Sequence, residues 1–419
     1  MITNETATDY GISRYLPRPK DARRGVGLAL SGGGYRATLF HLGALRRLNE
    51  LGLLTRARTI TSVSGGSIAS AQLARHRIEH GDAWAQPGRP IPRFEEEIAE
   101  PMREFTRHDS RTGPVLSRLY PWNWLDRDAA IEGLADRLAD GPAGDYRLSR
   151  LDDGSPFVFC ATDLRFRTLW VFDTRPGKRC VGSDSAGLAP LSDNWTLARA
   201  AAASGCFPVA FGPMSVPYDP SRSPGTYEGA DRERLVRRLE LTDGGLYDDM
   251  GVEPIWEDHA VVLVSDAGPS FAYDPSYLGI LWGGLRYAVT LMEQATDVRK
   301  RWLVSSFIRR DLDGAYWGIA SLPTNYEHDA VPPAYSDSLI EKFISQIRID
   351  LDSFSKGEIS VLENHGYLMA EIAVRRHAPQ LVEGEWPPPV VPHREWMDEE
   401  RVREALAESA KTKLFARHH

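Results

Sequence analysis

The sequence predicts an α/β protein built on a parallel sheet with helices on its faces. A short apolar run, a glycine cluster and a helical pattern follow one another directly, and the same order recurs before residue 81. After about residue 266 the texture becomes helical, which places the sheet in the earlier part of the chain. With 419 residues, burial of a large core is not limited by size.

The first unit begins at Val26 to Leu30 (VGLAL), an apolar run of strand length. Ser31-Gly32-Gly33-Gly34 follows, then a helix with Leu39, Leu42, Leu45 and Leu48 along one side. In the second unit, the β-branched run Thr59 to Val63 leads into Ser64-Gly65-Gly66 and a helix from Ser67 to about His80. Consecutive β-loop-α units imply parallel pairing. Further strands are expected at Phe157 to Ala161, Thr168 to Phe172, Leu239 to Thr242 and Ala260 to Ser265, with an alanine-rich helix from Trp195 to Ala203. Helices are expected at Leu278 to Lys300, Ser336 to Arg348, Ser355 to Arg376 and about Arg394 to Lys413; Ser355 and Glu358 have capping-box spacing. The expected organisation is an N-terminal arm (1–24), a core (25–275) with a helical insertion at about 81–154, and a C-terminal helical extension (276–419).

Composition narrows the function. Hydrophobic residues make up 42% and charged residues 26%, the balance of an ordinary globular protein. The net charge of -8, without a long basic block, argues against nucleic acid as a partner. Cys160, Cys180 and Cys206 are too few, and of the wrong parity, for a disulfide framework. The first residues lack an apolar signal segment, and no apolar run reaches the ~20 residues of a spanning helix. A cytoplasmic protein is expected, meeting membranes at their surface at most.

Three short segments carry chemistry. Ser64 stands at a sharp strand-to-helix turn, where a nucleophilic hydroxyl can meet a carbonyl while helix-start N–H groups face the developing oxyanion. The usual glycine two residues before it is Ser62, and the bland alternative is a serine helix cap. Ser62 and Ser67 are rival nucleophiles, but neither stands at the apex. Gly32-Gly33-Gly34 lets the backbone approach an anion, a phosphate or an oxyanion, at a helix N-terminus. Neither a P-loop nor a dinucleotide pattern fits there. Arg36, which begins the helix, would bind a lipid phosphate or pair with a surface carboxylate. Asp243, before Gly244-Gly245 at a strand end, can be aimed as a base, although Asp-Gly-Gly is also a common turn. All three would converge on the carboxyl edge of one sheet. His41, between Phe40 and Leu42, reads as a packed or capping histidine. His76-Arg77-Ile78-Glu79-His80 matches the zinc pattern H-x-x-E-H, but Gly81 stops the helix at once and an exposed polar helix end is expected.

Together LSGGGYRATLFHLGALRRL, SVSGGS and LTDGGLYDDMGVEP resemble the patatin-like phospholipases, including the cytosolic phospholipase A2 branch, over about residues 25 to 266. The segment Ala201 to Pro208 and Ala161-Thr162-Asp163-Leu164 fit the same pattern, with Asp163 structural. A weaker likeness covers 350 to 371. The resemblance implies a three-layer α/β/α sandwich with a mostly parallel central sheet and a serine-aspartate dyad. It implies that neither a histidine nor a metal takes part in the chemical step, and no cofactor is expected. Ser64 would be the nucleophile, Asp243 the base, and Gly32, Gly33 and Gly34 the oxyanion loop, with Arg36 and Gly65 on the substrate side. Asp249 stands where related sequences often carry asparagine.

The expected activity is hydrolysis of an acyl lipid, a phospholipase A or lysophospholipase, through an acyl-enzyme. The expected partner is membrane phospholipid or another acyl-ester lipid. Two other readings stand beside it: a regulated membrane-degrading effector, and a module that binds phospholipid or nucleotide without turnover. Trp122 and Trp124, in the expected insertion, are candidates for headgroup contact.

Overall fold

The computed structural model describes residues 18–117, 128–208, 211–216, 225–268, 280–326 and 333–407. Trp122 and Trp124 lie outside the described residues.

The strands are β1 (Val26–Leu30), β2 (Ala57–Val63), β3 (Phe157–Asp163), β4 (Thr168–Asp173), β5 (Cys180–Ser183), β6 (Gly187–Pro190), β7 (Met214–Val216), β8 (Leu239–Asp243), β9 (Val261–Asp266) and β10 (Gly314–Gly318). They form one sheet in the order β10-β9-β1-β2-β3-β4-β5-β6, with β8 pairing β3 and β7. From β10 to β3 every pairing is parallel. Beyond β3 the pairings are antiparallel, made by short connections that need no crossover helix. All five residues of β1 are buried, as an apolar run without alternation requires of a strand covered on both faces.

The principal helices are α1 (Gly34–Glu50), α2 (Gly65–Glu79), α3 (Leu197–Ser204), α4 (Ile280–Ile308) and α5 (Lys356–His377). The capping box expected for α5 is formed: the Ser355 hydroxyl accepts from Glu358 N, and the Glu358 carboxylate accepts from Ser355 N. From Gly357 to Val374 this helix is buried on all sides. It crosses α1 closely, because a Cβ on Gly43 would fall 1.8 Å from the Glu363 carbonyl oxygen and one on Gly366 1.8 Å from that of Phe40. Arg47 and Glu371 pair at 2.7 Å across this interface, both fully buried.

Several features depart from the sequence reading: β5, β6 and β7 are not among the expected strands, and the helix expected over about Arg394 to Lys413 is, among the described residues, a 3₁₀ turn, Arg394–Trp396, and a helix, Glu399–Leu406. The region expected to be helical after residue 276 contributes β10, which extends the parallel sheet past β9. Its five residues, Gly-Ala-Tyr-Trp-Gly, are too few to show a period. The helix expected over 336–348 is a short one, Asp337–Lys342, followed by a 3₁₀ turn, Ile344–Gln346.

Candidate active site

The sheet brings Ser64 and Asp243 together through a change of partner along β3. Strand β2 runs parallel to β3 and ends with Val63 opposite Cys160. Strand β8 arrives from the other direction along the same edge and ends with Asp243 opposite Ala161. The residue after Val63 therefore faces Asp243. The Asp243 carboxyl takes hydrogen bonds from the Ser64 hydroxyl and from Gly245 N, the latter at 2.8 Å. Burial raises its pKa to about 6 against the opposing effect of these donors.

Ser64 has φ 49° and ψ -117°, a conformation that L-residues avoid. Its strain is held by hydrogen bonds: Ser64 N donates to Ser204 Oγ at 2.9 Å, and Ser204 Oγ donates to the Cys160 carbonyl at 2.6 Å. The rival serines are locked in the same buried network, with Ser67 Oγ 3.0 Å from Ser62 Oγ and 2.8 Å from Ser204 Oγ. The chain turns at the apex because Gly65 has no side chain: a Cβ there would sit 2.0 Å from the Gly34 carbonyl oxygen. Gly65 thus seats the elbow against the glycine loop and does not line the cavity.

Of the three loop glycines, Gly33 and Gly34 have N–H groups without an acceptor among the described residues. Gly32 does not: its N–H donates to the Asp249 carbonyl at 2.9 Å, which removes it from the expected oxyanion donors. The loop is tied down on several sides. Gly66 N donates to the Ser31 carbonyl at 3.1 Å, Ala267 N to Ser31 Oγ at 2.7 Å, and Tyr35 N to the Asp350 carbonyl at 2.9 Å.

Arg36 is also reassigned. Its guanidinium is buried and donates to the carbonyls of Ile347 (2.9 Å), Ala267 (2.8 Å) and Gly268 (2.7 Å), so it braces the loop and meets neither a headgroup nor a surface carboxylate. Burial lowers its pKa to about 10. His41 is a packed histidine: Nε2 donates to the Ser31 carbonyl at 3.0 Å, and Nδ1 accepts from Ser265 Oγ at 2.8 Å. Burial brings its pKa down to about 4, so the ring is neutral. Asp163 closes a turn by accepting from Arg165 N and Phe166 N.

The H-x-x-E-H segment is not a plain exposed end. His76 is buried, and with His80 it faces Glu97, while Glu79 binds Arg75 and Tyr146. The Trp84 indole donates to His76 Nδ1 at 3.1 Å, so Nε2 carries the proton and donates it to Glu97 at 3.0 Å. A metal ligand needs the opposite arrangement, with the distal ring nitrogen donating.

A cavity of about 280 Å³ opens onto Ser64, Asp243, Gly33 and Gly34. Phe207, Phe211, Met292 and Leu351 give it an apolar wall. Asp249 and Asp350 also line it, and the sequence had given neither a place there.

The model of the patatin-like phospholipase family matches residues 28–256. No curated protein matches the chain. Among solved structures, the human GIVD cytosolic phospholipase A2 is similar at 13% identity, over 94% of this chain and 63% of that one, with a TM-score of 0.40. The same human protein in complex with methyl gamma-linolenyl fluorophosphonate is similar at 15% identity, over 93% and 60%, with a TM-score of 0.40. VipD from Legionella pneumophila is similar at 13% identity, over 88% and 67%, with a TM-score of 0.32. The chain thus spans less than two thirds of the human structures' length.

Proposed function

The chain belongs to the patatin-like phospholipase family, and from that premise we propose that it is a lipid acyl hydrolase working through Ser64 and Asp243. One observation carries the reading: a strained serine faces a buried carboxylate at an apolar cavity, with two unengaged backbone N–H groups beside it.

Ser64 Oγ attacks the ester carbonyl as its proton passes to Asp243. The oxyanion is met by Gly33 N–H and Gly34 N–H, each donor of this kind being worth about 3 kcal/mol in the transition state. The intermediate collapses, the alcohol leaves with the proton held by Asp243, and the fatty acyl group stays on Ser64. Asp243 then takes a proton from water, which attacks the acyl carbonyl; as the second tetrahedral intermediate collapses, the Ser64 Oγ–acyl bond breaks, Asp243 returns the proton to Ser64 Oγ and the fatty acid leaves. With a pKa of about 6, Asp243 is mostly ionised at neutral pH and is ready to accept the proton. The apolar wall suits an acyl chain, and the substrate class is membrane phospholipid or lysophospholipid. No described helix is long and apolar enough to cross a membrane. The binding-module reading loses its cation, because Arg36 is held by backbone carbonyls.

Incubation with a fluorophosphonate and assay of fatty acid release from phospholipid vesicles test this. Wild type should be labelled and active, and Ser64→Ala should be neither. Labelling that persists in Ser64→Ala would defeat the assignment.

A further inference from the structure

Asp249 is 8% exposed and lines the cavity that holds Ser64 and Asp243. Its Oδ2 has no hydrogen-bond partner among the described residues. The carboxyl is wedged beneath the glycine loop: a Cβ on Gly32 would come within 2.3 Å of Oδ1, and one on Gly268 within 2.3 Å of Oδ2. The same Gly32 site would lie 3.4 Å from Ser64 Cβ, so Asp249 and the nucleophile flank one face of the loop.

The charged groups around it are unevenly matched. Asp266 on β9 and Asp243 on β8 repel a charge on Asp249, as does Asp248 in its own turn. Lys300 on α4 attracts it, but its ammonium is 2.7 Å from Asp266, which also accepts from Tyr316 at 2.6 Å. Arg36 on α1 also attracts it, with its guanidinium nitrogens on backbone carbonyls. An ionised carboxylate with an orphaned oxygen is costly in such a place, whereas the acid is tolerated. Burial, then the neighbouring carboxylates, raise the Asp249 pKa to about 8.

We propose that Asp249 controls turnover by its charge state: as the neutral acid it leaves the glycine loop able to hold an oxyanion, and as the carboxylate it opposes that oxyanion. The proton is lost to water, and no bond to substrate is made or broken at this residue. Two negative charges beside the same buried loop repel strongly, and the oxyanion is the one that exists only in the transition state. The effect therefore falls on kcat more than on KM. This inference rests on the acyl-hydrolase reading above.

The test is the pH dependence of kcat and KM for a soluble p-nitrophenyl acyl ester, from about pH 5 to about pH 10, with Ser64→Ala as the blank. Wild type should lose about tenfold in kcat for each unit above an alkaline midpoint near 8, with KM little changed. Asp249→Asn should lack that alkaline limb relative to its own plateau. A limb that survives in Asp249→Asn, or is absent from wild type, overturns the proposal. Should Asp249→Asn not fold, Asp266→Asn decides: it removes a repelling charge and frees Lys300, so the limb should move about one unit toward acid, and an unmoved limb overturns the proposal. Wild type no faster than the blank at any pH would instead sink the hydrolase reading.

Discussion

The backbone N–H of Ser64 is held by the hydroxyl of Ser204 at 2.9 Å, so the elbow depends on a side chain at the end of α3. Ser204 is buried and also supplies the Cys160 carbonyl. Ser204→Ala should therefore cost about 1–3 kcal/mol of stability in urea denaturation. It should also lower kcat about tenfold through misplacement of the nucleophile. Stability lost with kcat unchanged would show that the elbow keeps its shape without this bond.

Strain at Ser64 gives a second expectation. Both Ser64→Ala and Ser64→Gly remove the hydroxyl, but only glycine is at ease at φ 49°. Ser64→Gly should be the more stable of the two by about 1–2 kcal/mol, read from paired melting curves. Equal melting temperatures would mean that the elbow conformation is not costly.

On the acid side, the proposed mechanism needs Asp243 as the carboxylate. The raised pKa of about 6 predicts that kcat/KM falls about tenfold per unit below that value. A profile flat down to about pH 5 would point to a different base.

Asp249 also makes stability depend on pH. Its folded pKa is raised from 3.8 to about 8, so the folded state holds a proton that the unfolded chain releases. The stability it contributes is fully present below about pH 4 and is lost as the pH climbs to about 8. The melting temperature of Asp249→Asn relative to wild type should rise across that window and level off above it. A difference that does not vary with pH would contradict the assigned protonation.

Glu371 and Arg47 tie α5 to α1 without solvent to relieve either charge. Glu371→Ala leaves Arg47 with Glu50 as its remaining carboxylate and should cost about 3–5 kcal/mol. Urea titration measures this. A loss under about 1 kcal/mol would mean that Glu50 and the Pro387 carbonyl compensate.

Local sequence was sufficient where local geometry decides. Ser64 and Asp243 are each announced by the strand that delivers them and the glycines that turn the chain, and the structure brings both to one cavity. Gly32 shows the limit: three glycines in a row reveal an anion loop but not which N–H a distant carbonyl has already taken. Arg36 failed for the same reason, since its acceptors at Ala267, Gly268 and Ile347 lie more than two hundred residues away. The burial of His76 follows from Trp84 and Glu97, neither of which belongs to its five-residue motif. Asp249 gave one signal, an acid at a position where related sequences often carry asparagine, and the orphaned oxygen that gives it meaning is visible only in three dimensions.

The bond from Tyr35 N to the Asp350 carbonyl, together with the grip of Arg36 on Ile347, has a consequence for the order in which the protein is made. A ribosome delivers Ser64 and Asp243 long before it reaches residue 350. Until then the start of α1 lacks these two braces, although Ser31, Gly32 and Arg36 already have partners up to Gly268, so the nascent chain carries Ser64 and Asp243 beside a glycine loop that is only partly held. On the proposed mechanism, hydrolytic competence is complete only late in translation, after the nascent chain has grown past both Ser64 and Asp243.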